Sequence, residues 1–249
     1  MNIFLLGARG YLGSYISAHL DVDVEIKNKT YDYFINCAGK PDLEFCETNP
    51  DKSKESNYTV LMDTHSKIPE AKIISFSSYY VYDDLGVCKE DAYVTSEYSY
   101  TKHKLLSEKF VINKKGVCFR VGKLFGNISS KKNKKLTEIF INSSAITLDE
   151  VRFNPTSVAQ VLKVIKWEID NGELEGIYNL SNKGSCTHAE YGERIDKFLG
   201  TQTNITVVDR LPRDFHNYGR FEMDTSRLEK HVVLRPWEED LEEYLRCIV

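Results

Sequence analysis

In the segment Tyr98-Ser99-Tyr100-Thr101-Lys102-His103-Lys104, two tyrosines each stand four residues ahead of a lysine, so Tyr98 with Lys102 and Tyr100 with Lys104 would each share one helix face. An ammonium beside a phenol favours the phenolate and moves its pKa from about 10 toward neutrality, which makes the tyrosine a usable proton donor or acceptor. Taken alone, the spacing fits better a surface helix with aromatic and basic residues, since such a tetrad occurs often by chance. Upstream, Ser75-Phe76-Ser77-Ser78-Tyr79-Tyr80-Val81-Tyr82 closes an apolar run with hydroxyls that could meet a substrate carbonyl. Serines also end strands without catalysing anything.

A second chemistry is written at the start of the chain. The apolar run Met1-Asn2-Ile3-Phe4-Leu5-Leu6 enters Gly7-Ala8-Arg9-Gly10-Tyr11-Leu12-Gly13, with glycines three residues apart. Such a turn lets the backbone approach a pyrophosphate, whose charge meets the unpaired N–H groups of the helix that follows, from about Gly10 to Leu20. Further on, Asn36-Cys37-Ala38-Gly39 offers small residues against which a cofactor could lie, or a plain strand-to-loop turn. Gly7, Arg9, Gly10, Tyr11, Leu12, Gly13, Cys37, Ala38, Gly39, Lys40 and Ser77 are therefore expected to line a dinucleotide.

These groups need a frame. Apolar runs recur at 3–6, 22–26, 33–37, 72–76, 117–121 and 176–180, with helical patterns between most of them, as in a doubly wound parallel sheet covered on both faces. Between the end of the first helix near Leu20 and Asn36 lie sixteen positions, which must hold two strands. A crossover helix needs about a dozen residues of its own. The usual helix is therefore expected to be missing there, leaving an open sheet edge.

The chain of 249 residues can bury one α/β core with a smaller lobe. Its net charge of −4 and scattered basic residues give no nucleic-acid footprint, and the run Lys131-Lys132-Asn133-Lys134-Lys135 reads as a solvated loop. The six cysteines are far apart and form no metal-ligand pattern, so reduced thiols and no metal are expected. No apolar stretch reaches membrane-spanning length, and the first strand is too short and too weakly basic for a signal peptide, which implies a cytoplasmic protein.

The motifs arrive in a telling order: glycine turn, Asn-x-Ala-Gly, Ser-Ser, Tyr-x-x-x-Lys. In this the chain resembles the extended short-chain dehydrogenase/reductase superfamily, and within it the dTDP-4-dehydrorhamnose reductases, nearly end to end. Ser77-Ser78-Tyr79-Tyr80-Val81-Tyr82-Asp83 is similar to that family's Ser-Thr-Asp-Tyr-Val-Phe-Asp, and Asn154-Pro155-Thr156 to its Gly-x-Pro-Thr segment. The stretches Gly176-Ile177-Tyr178-Asn179-Leu180, Gly184-Ser185-Cys186-Thr187, Asp224-Thr225-Ser226-Arg227-Leu228 and Leu234-Arg235-Pro236-Trp237 resemble its Gly-Ile-Tyr-His-Leu, Gly-x-Cys-Ser, Asp-Thr-Ser-Lys-Leu and Pro-Pro-Trp stretches. Tyr79 stands where the family has aspartate and Asp84 where it has glycine.

The resemblance implies a Rossmann sheet formed by 1–125 plus 151–182, with a substrate lobe formed by 126–150 plus 183–249. It also implies a reductase that moves hydride from a nicotinamide cofactor to the 4-keto group of a nucleotide-linked 6-deoxy sugar. Ser78 would hold the carbonyl, Tyr100 would protonate the developing alkoxide, and Lys104 would tune Tyr100 and bind the nicotinamide ribose. Ser78, Tyr79, Tyr80, Arg120 and Asn154 would contact the substrate. No nucleic-acid or membrane partner is implied, and a homodimer is compatible. Rivals are an epimerase or dehydratase that keeps its NAD, and a non-catalytic regulatory subunit of the kind that partners methionine adenosyltransferase.

Two choices remain within that reading. The Tyr98 and Lys102 register has Ser99 and Thr101 in superfamily-like places. The Tyr100 and Lys104 register puts Glu108 where relatives have it, and Phe110 and Val111 where relatives bury apolar side chains. The other register would bury Glu108 and Lys109, a costly exchange, so Tyr100 and Lys104 are favoured. For the cofactor, Lys27, Asn28 and Lys29 after the second strand, with Arg9, suit a 2′-phosphate, so NADPH is expected, with NADH as the alternative.

Overall fold

The computed structural model describes residues 1–83, 86–95, 97–127, 136–208 and 221–248. The Lys131 to Lys135 run and Asp84 lie outside them.

Five short, buried strands make one parallel sheet in the order β1 (Ile3–Leu6), β2 (Tyr33–Asn36), β3 (Lys72–Ser78), β5 (Val117–Val121) and β10 (Gly176–Leu180). Because successive side chains point to opposite faces, each strand feeds two apolar layers. Ile3, Leu5, Ile35, Ile74, Phe76 and Phe119 join Leu12 and Ile16 of α1 (Tyr11–His19) and Val161 and Ile165 of α7 (Val158–Asn171). Phe4, Phe34, Ile73 and Cys118 meet Leu61 of α4 (Val60–His65) and Val111 of α5 (Ser99–Asn113) on the other side. This is the doubly wound Rossmann arrangement expected from the apolar runs.

The edge beside β1 differs from the expectation in one respect. Val22 to Ile26 is not a strand: Asp23 alone bridges Phe4, through two backbone hydrogen bonds of 2.9 Å with Ile3 and Leu5. The carboxylate of Asp23 binds the ammonium groups of Lys27 and Lys29 and the hydroxyl of Tyr31, which turns the chain back after one bridge. Val24 and Ile26 are exposed. No helix lies between Ile26 and Tyr33, so the sheet stops early at an open edge, as the residue count requires.

The remaining strands pair off outside the sheet. They are β4 (Gly86–Cys88) with β13 (Phe221–Met223), β6 (Lys123–Phe125) with β9 (Pro155–Ser157), β7 (Ala145–Asp149) with β12 (Asn204–Val208), and β8 (Arg152–Phe153) with β11 (Cys186–Thr187). A separate apolar cluster gathers Phe125 and Phe153 with Phe140 of α6 (Leu136–Ile141), Tyr191 and Ile195 of α8 (His188–Leu199), and Leu241 and Tyr244 of α10 (Trp237–Ile248). Thr187 and Glu190 close a capping box on α8, tying down the helix that builds this cluster.

Candidate active site

The turns after β1 and β2 touch at the carboxyl edge of the sheet, where ligands bind in open α/β sheets. Gly7 has φ +84°, and a Cβ on it would fall 2.6 Å from backbone atoms of Cys37 and Ala38. A Cβ on Gly13 would lie 2.2 Å from the Gly7 carbonyl oxygen, so α1 packs onto the turn only as glycine. Gly10 caps α1 without a side chain, and no acidic residue occupies the first turn. Uncapped first-turn N–H groups carry partial positive charge and point where an anion would sit. The exposed Arg9 adds a full charge beside them. The cradle thus fits the diphosphate of a dinucleotide. Ser77, at the end of β3, adds a buried hydroxyl without a hydrogen-bond partner among the described residues.

Ser78, Tyr100 and Lys104 converge beside this cradle. Ser78 is the last residue of β3, and its Oγ accepts from the Tyr80 N–H at 3.2 Å. Tyr100 and Lys104 are both buried on the face of α5 turned to β3. The Tyr100 hydroxyl interacts with that of Ser78, and Lys104 Nζ lies 5.9 Å from the Tyr100 ring centroid. Lys104 donates to the Phe76 carbonyl at 2.9 Å, and a Cβ on Gly39 would stand 3.2 Å from its Nζ. Burial pushes the Lys104 pKa down. Among the described residues no carboxylate lies within ion-pair distance of it.

Tyr98, by contrast, is the half-buried N-cap of α5, and Lys102 is exposed. The electrostatics of Tyr100 reverse the expectation: burial raises its pKa, with the Ser78 contact opposing more weakly, instead of an ammonium lowering it. Desolvation of the phenolate dominates where the phenol is enclosed and the ammonium is not in direct contact. Tyr100 is thereby kept as the neutral phenol, the form that can give a proton.

Other expected residues fall into two groups. Ala38, Gly39 and Lys40 line the edge, and desolvation pushes the pKa of the half-buried Cys37 thiol up, so it is neutral there. Tyr79 and Tyr80 stack with centroids 4.4 Å apart in the turn after Ser78. Leu12 points into the core and offers only its backbone. The Tyr11 phenol, pushed up to about 12 by burial, accepts from the Asn127 N–H.

Arg120, Asn154 and Lys29 are each bonded to other protein groups, and Asn28 shares the turn of Lys29. Arg120 is buried and doubly bonded to Glu108 at 2.9 and 2.8 Å, with a third bond to the Glu90 carbonyl and the Tyr82 ring 4.8 Å away. This pairing also explains how α5 buries Glu108. Asn154 spans Gly184 and the Met223 N–H and is equally consumed. Lys29 pairs with Asp23 and Asn2, at the end of β1 opposite Gly7, roughly 16 Å away for five extended residues. Asn28, one residue before it in the same exposed turn, is carried away with it.

One residue at the site had no signal in the sequence. Asn57 sits in a π-helical turn (Glu55–Thr59) between α3 (Pro50–Lys54) and α4, a local widening often found at functional sites. Its side chain accepts from the Lys40 N–H at 2.9 Å and donates to the Lys40 carbonyl at 3.2 Å, fixing the turn in front of Lys104. No periodicity marks a π turn.

The sheet and its flanking layers define a Rossmann-type α/β protein. The chain belongs to the RmlD substrate binding domain family, whose model matches residues 19–248. It is 23% identical over 213 residues to the probable low-salt glycan biosynthesis reductase Agl14 of Haloferax volcanii, covering 80% of this chain and 71% of that protein. A dTDP-4-dehydrorhamnose reductase from Clostridium acetobutylicum superposes with TM-score 0.86 at 22% identity, over 100% of this chain and 99% of that one. The dTDP-4-dehydrorhamnose reductase of Bacillus anthracis, solved in complex with NADP, gives 0.84 at 21% identity over the same shares.

Proposed function

We propose that this protein is an NADPH-dependent oxidoreductase that reduces the 4-keto group of a nucleotide-linked 6-deoxy sugar, in the manner of the dTDP-4-dehydrorhamnose reductases it resembles. The observation that carries the reading is the enclosed Tyr100 phenol, in contact with Ser78 and backed by Lys104, next to a glycine cradle shaped for a diphosphate. Segments 1–125 and 151–182 form the cofactor half, and 126–150 and 183–249 the substrate lobe.

Reduced nicotinamide supplies the hydride when bound. Ser78 donates a hydrogen bond to the carbonyl oxygen and orients it. Tyr100 gives its proton to the alkoxide as it forms, which accelerates such steps by about 10²–10⁴-fold. The Lys104 ammonium binds the ribose hydroxyls and offsets the negative charge that appears on Tyr100. Closure of the site against water strengthens both interactions. The reading implies a cytoplasmic enzyme, where nucleoside-diphosphate sugars and reduced nicotinamides are supplied. Among the described residues no helix is long and apolar enough to cross a membrane.

The test is a panel of 4-keto-6-deoxy sugar nucleotides with dTDP, UDP and GDP heads, offered with NADPH and with NADH while nicotinamide absorbance is followed. Oxidation of NADPH by a dTDP-linked substrate is expected. Absence of turnover with every 4-keto sugar nucleotide and both cofactors would sink the reading.

A further inference from the structure

One buried side chain joins the cofactor cradle to the substrate lobe. Asn127 is 3% exposed. Its N–H donates to the Tyr11 hydroxyl at 3.1 Å, and its Nδ2 donates to the Tyr11 carbonyl at 2.5 Å and to Ser14 Oγ at 3.0 Å. All three acceptors belong to the first turns of α1, whose N–H groups face the diphosphate position. Two residues before Asn127, Phe125 ends β6 and packs in the lobe cluster, with ring centroids 6.1 Å from Tyr191 and 6.4 Å from Tyr244. Three residues, 125–127, therefore connect the hydrogen bonds on the cradle helix with the lobe core. A cavity of about 220 Å³ between α1 and α10, lined in part by Tyr15, Gly126, Asn127 and Tyr244, gives this stretch room to shift.

We propose that Asn127 is a positioning residue that transmits occupancy of the cofactor cradle to the substrate lobe; the proposal rests on the reading of α1 as the cofactor helix. A diphosphate held by the first turn of α1 fixes the Tyr11 carbonyl and hydroxyl. These hold Asn127, and Asn127 holds β6 and Phe125 in register with α8 and α10. Bound cofactor thus prepares the lobe for the sugar nucleotide, and by linkage the sugar nucleotide tightens the cofactor by the same factor.

Amide hydrogen exchange with and without NADP⁺ tests this directly. In the wild-type protein, saturating NADP⁺ should slow exchange in α1, in β6 and around Tyr191 and Tyr244, the last two regions by about fivefold or more, the lower end of ordinary coupling. In Asn127→Ala, which keeps only the main-chain N–H bond to the Tyr11 hydroxyl, the protection of α1 should persist while most of that of β6 and the lobe is lost. Tyr11→Phe, which removes one of the three acceptors and leaves the others, should show a partial loss, and it decides the matter if Asn127→Ala does not fold. Protection confined to α1 in the wild type, or full lobe protection in Asn127→Ala, overturns the proposal while leaving the cradle reading intact. No protection of α1 in the wild type removes the cradle reading and the proposal with it.

Discussion

Two cations are buried within a few residues' reach of β3, and their surroundings are opposite. Arg120 on β5 meets Glu108 through two parallel hydrogen bonds. Burial works to lower its pKa, but the Glu108 pair overrides burial and leaves it raised. Lys104, one turn before Glu108 on α5, bonds a backbone carbonyl and has no ion-pair partner among the described residues; burial outweighs the weaker attraction of nearby groups, Glu108 among them, and its pKa falls. A buried charge with a matched partner holds architecture, whereas a buried charge without one keeps its binding capacity for something else. The same contrast recurs at the surface. Lys29 is taken by Asp23, and Arg9 beside the glycine turn has no ion-pair partner among the described residues.

The strongest test of the contrast is at the group that Lys104 backs. Tyr100→Phe should lower kcat by about 10²–10⁴-fold with circular dichroism and the thermal midpoint preserved, whereas Tyr98→Phe should keep near-normal turnover. The opposite result would move catalysis to Tyr98 and Lys102. Next, the two cations should fail in different ways. Lys104→Met should lose at least about 10²-fold in turnover without losing stability in denaturant. Arg120→Met should lose about 3–5 kcal/mol, because it strands Glu108 in the interior. Pairing it with Glu108→Leu should recover much of that loss. If both single variants lose stability alike, the distinction between matched and unmatched burial fails.

A smaller effect is expected at the rim of the cradle. Arg9→Ala should weaken NADPH more than NADH, by about one order of magnitude or less for a solvent-exposed contact, while Lys29→Ala should leave the ratio of the two affinities unchanged. A preference for NADH that Arg9→Ala does not alter would detach both cations from the cofactor.

The smallest effect concerns Asp23, whose pKa the Lys27 hydrogen bond, then that of Lys29, lower from 3.8 to about 2. Its folded pKa lies below its unfolded value. The stabilisation is therefore complete above about pH 4 and is lost as pH falls toward 2. Asp23→Asn should flatten unfolding stability over that window and leave neutral-pH activity alone.

Much of the frame is readable from side-chain types in order. Apolar runs of strand length, too uniformly apolar for a one-sided sheet, require helices on both faces, and sixteen positions cannot hold two strands and a crossover. Gly7 and Gly13 are legible because only a residue without Cβ permits the approach of backbone to backbone seen there. The partners of buried polar residues were less legible. Arg120 and Asn154 look available as residue types, yet each is consumed by partners distant in sequence, Glu90 and Glu108 for one and Gly184 and Met223 for the other.

By itself the sequence determined the alternation of strands and helices, the glycine turn and the open edge, since these follow from local sterics, hydrophobic period and chain length. Only the tertiary structure decided which charges are free. Pairing depends on which distant groups the folded chain brings within hydrogen-bond distance, and that separates Lys104 from Arg120 and Arg9 from Lys29. It also decided the state of Tyr100, because desolvation is a property of the enclosure around a phenol and not of the lysine four residues away.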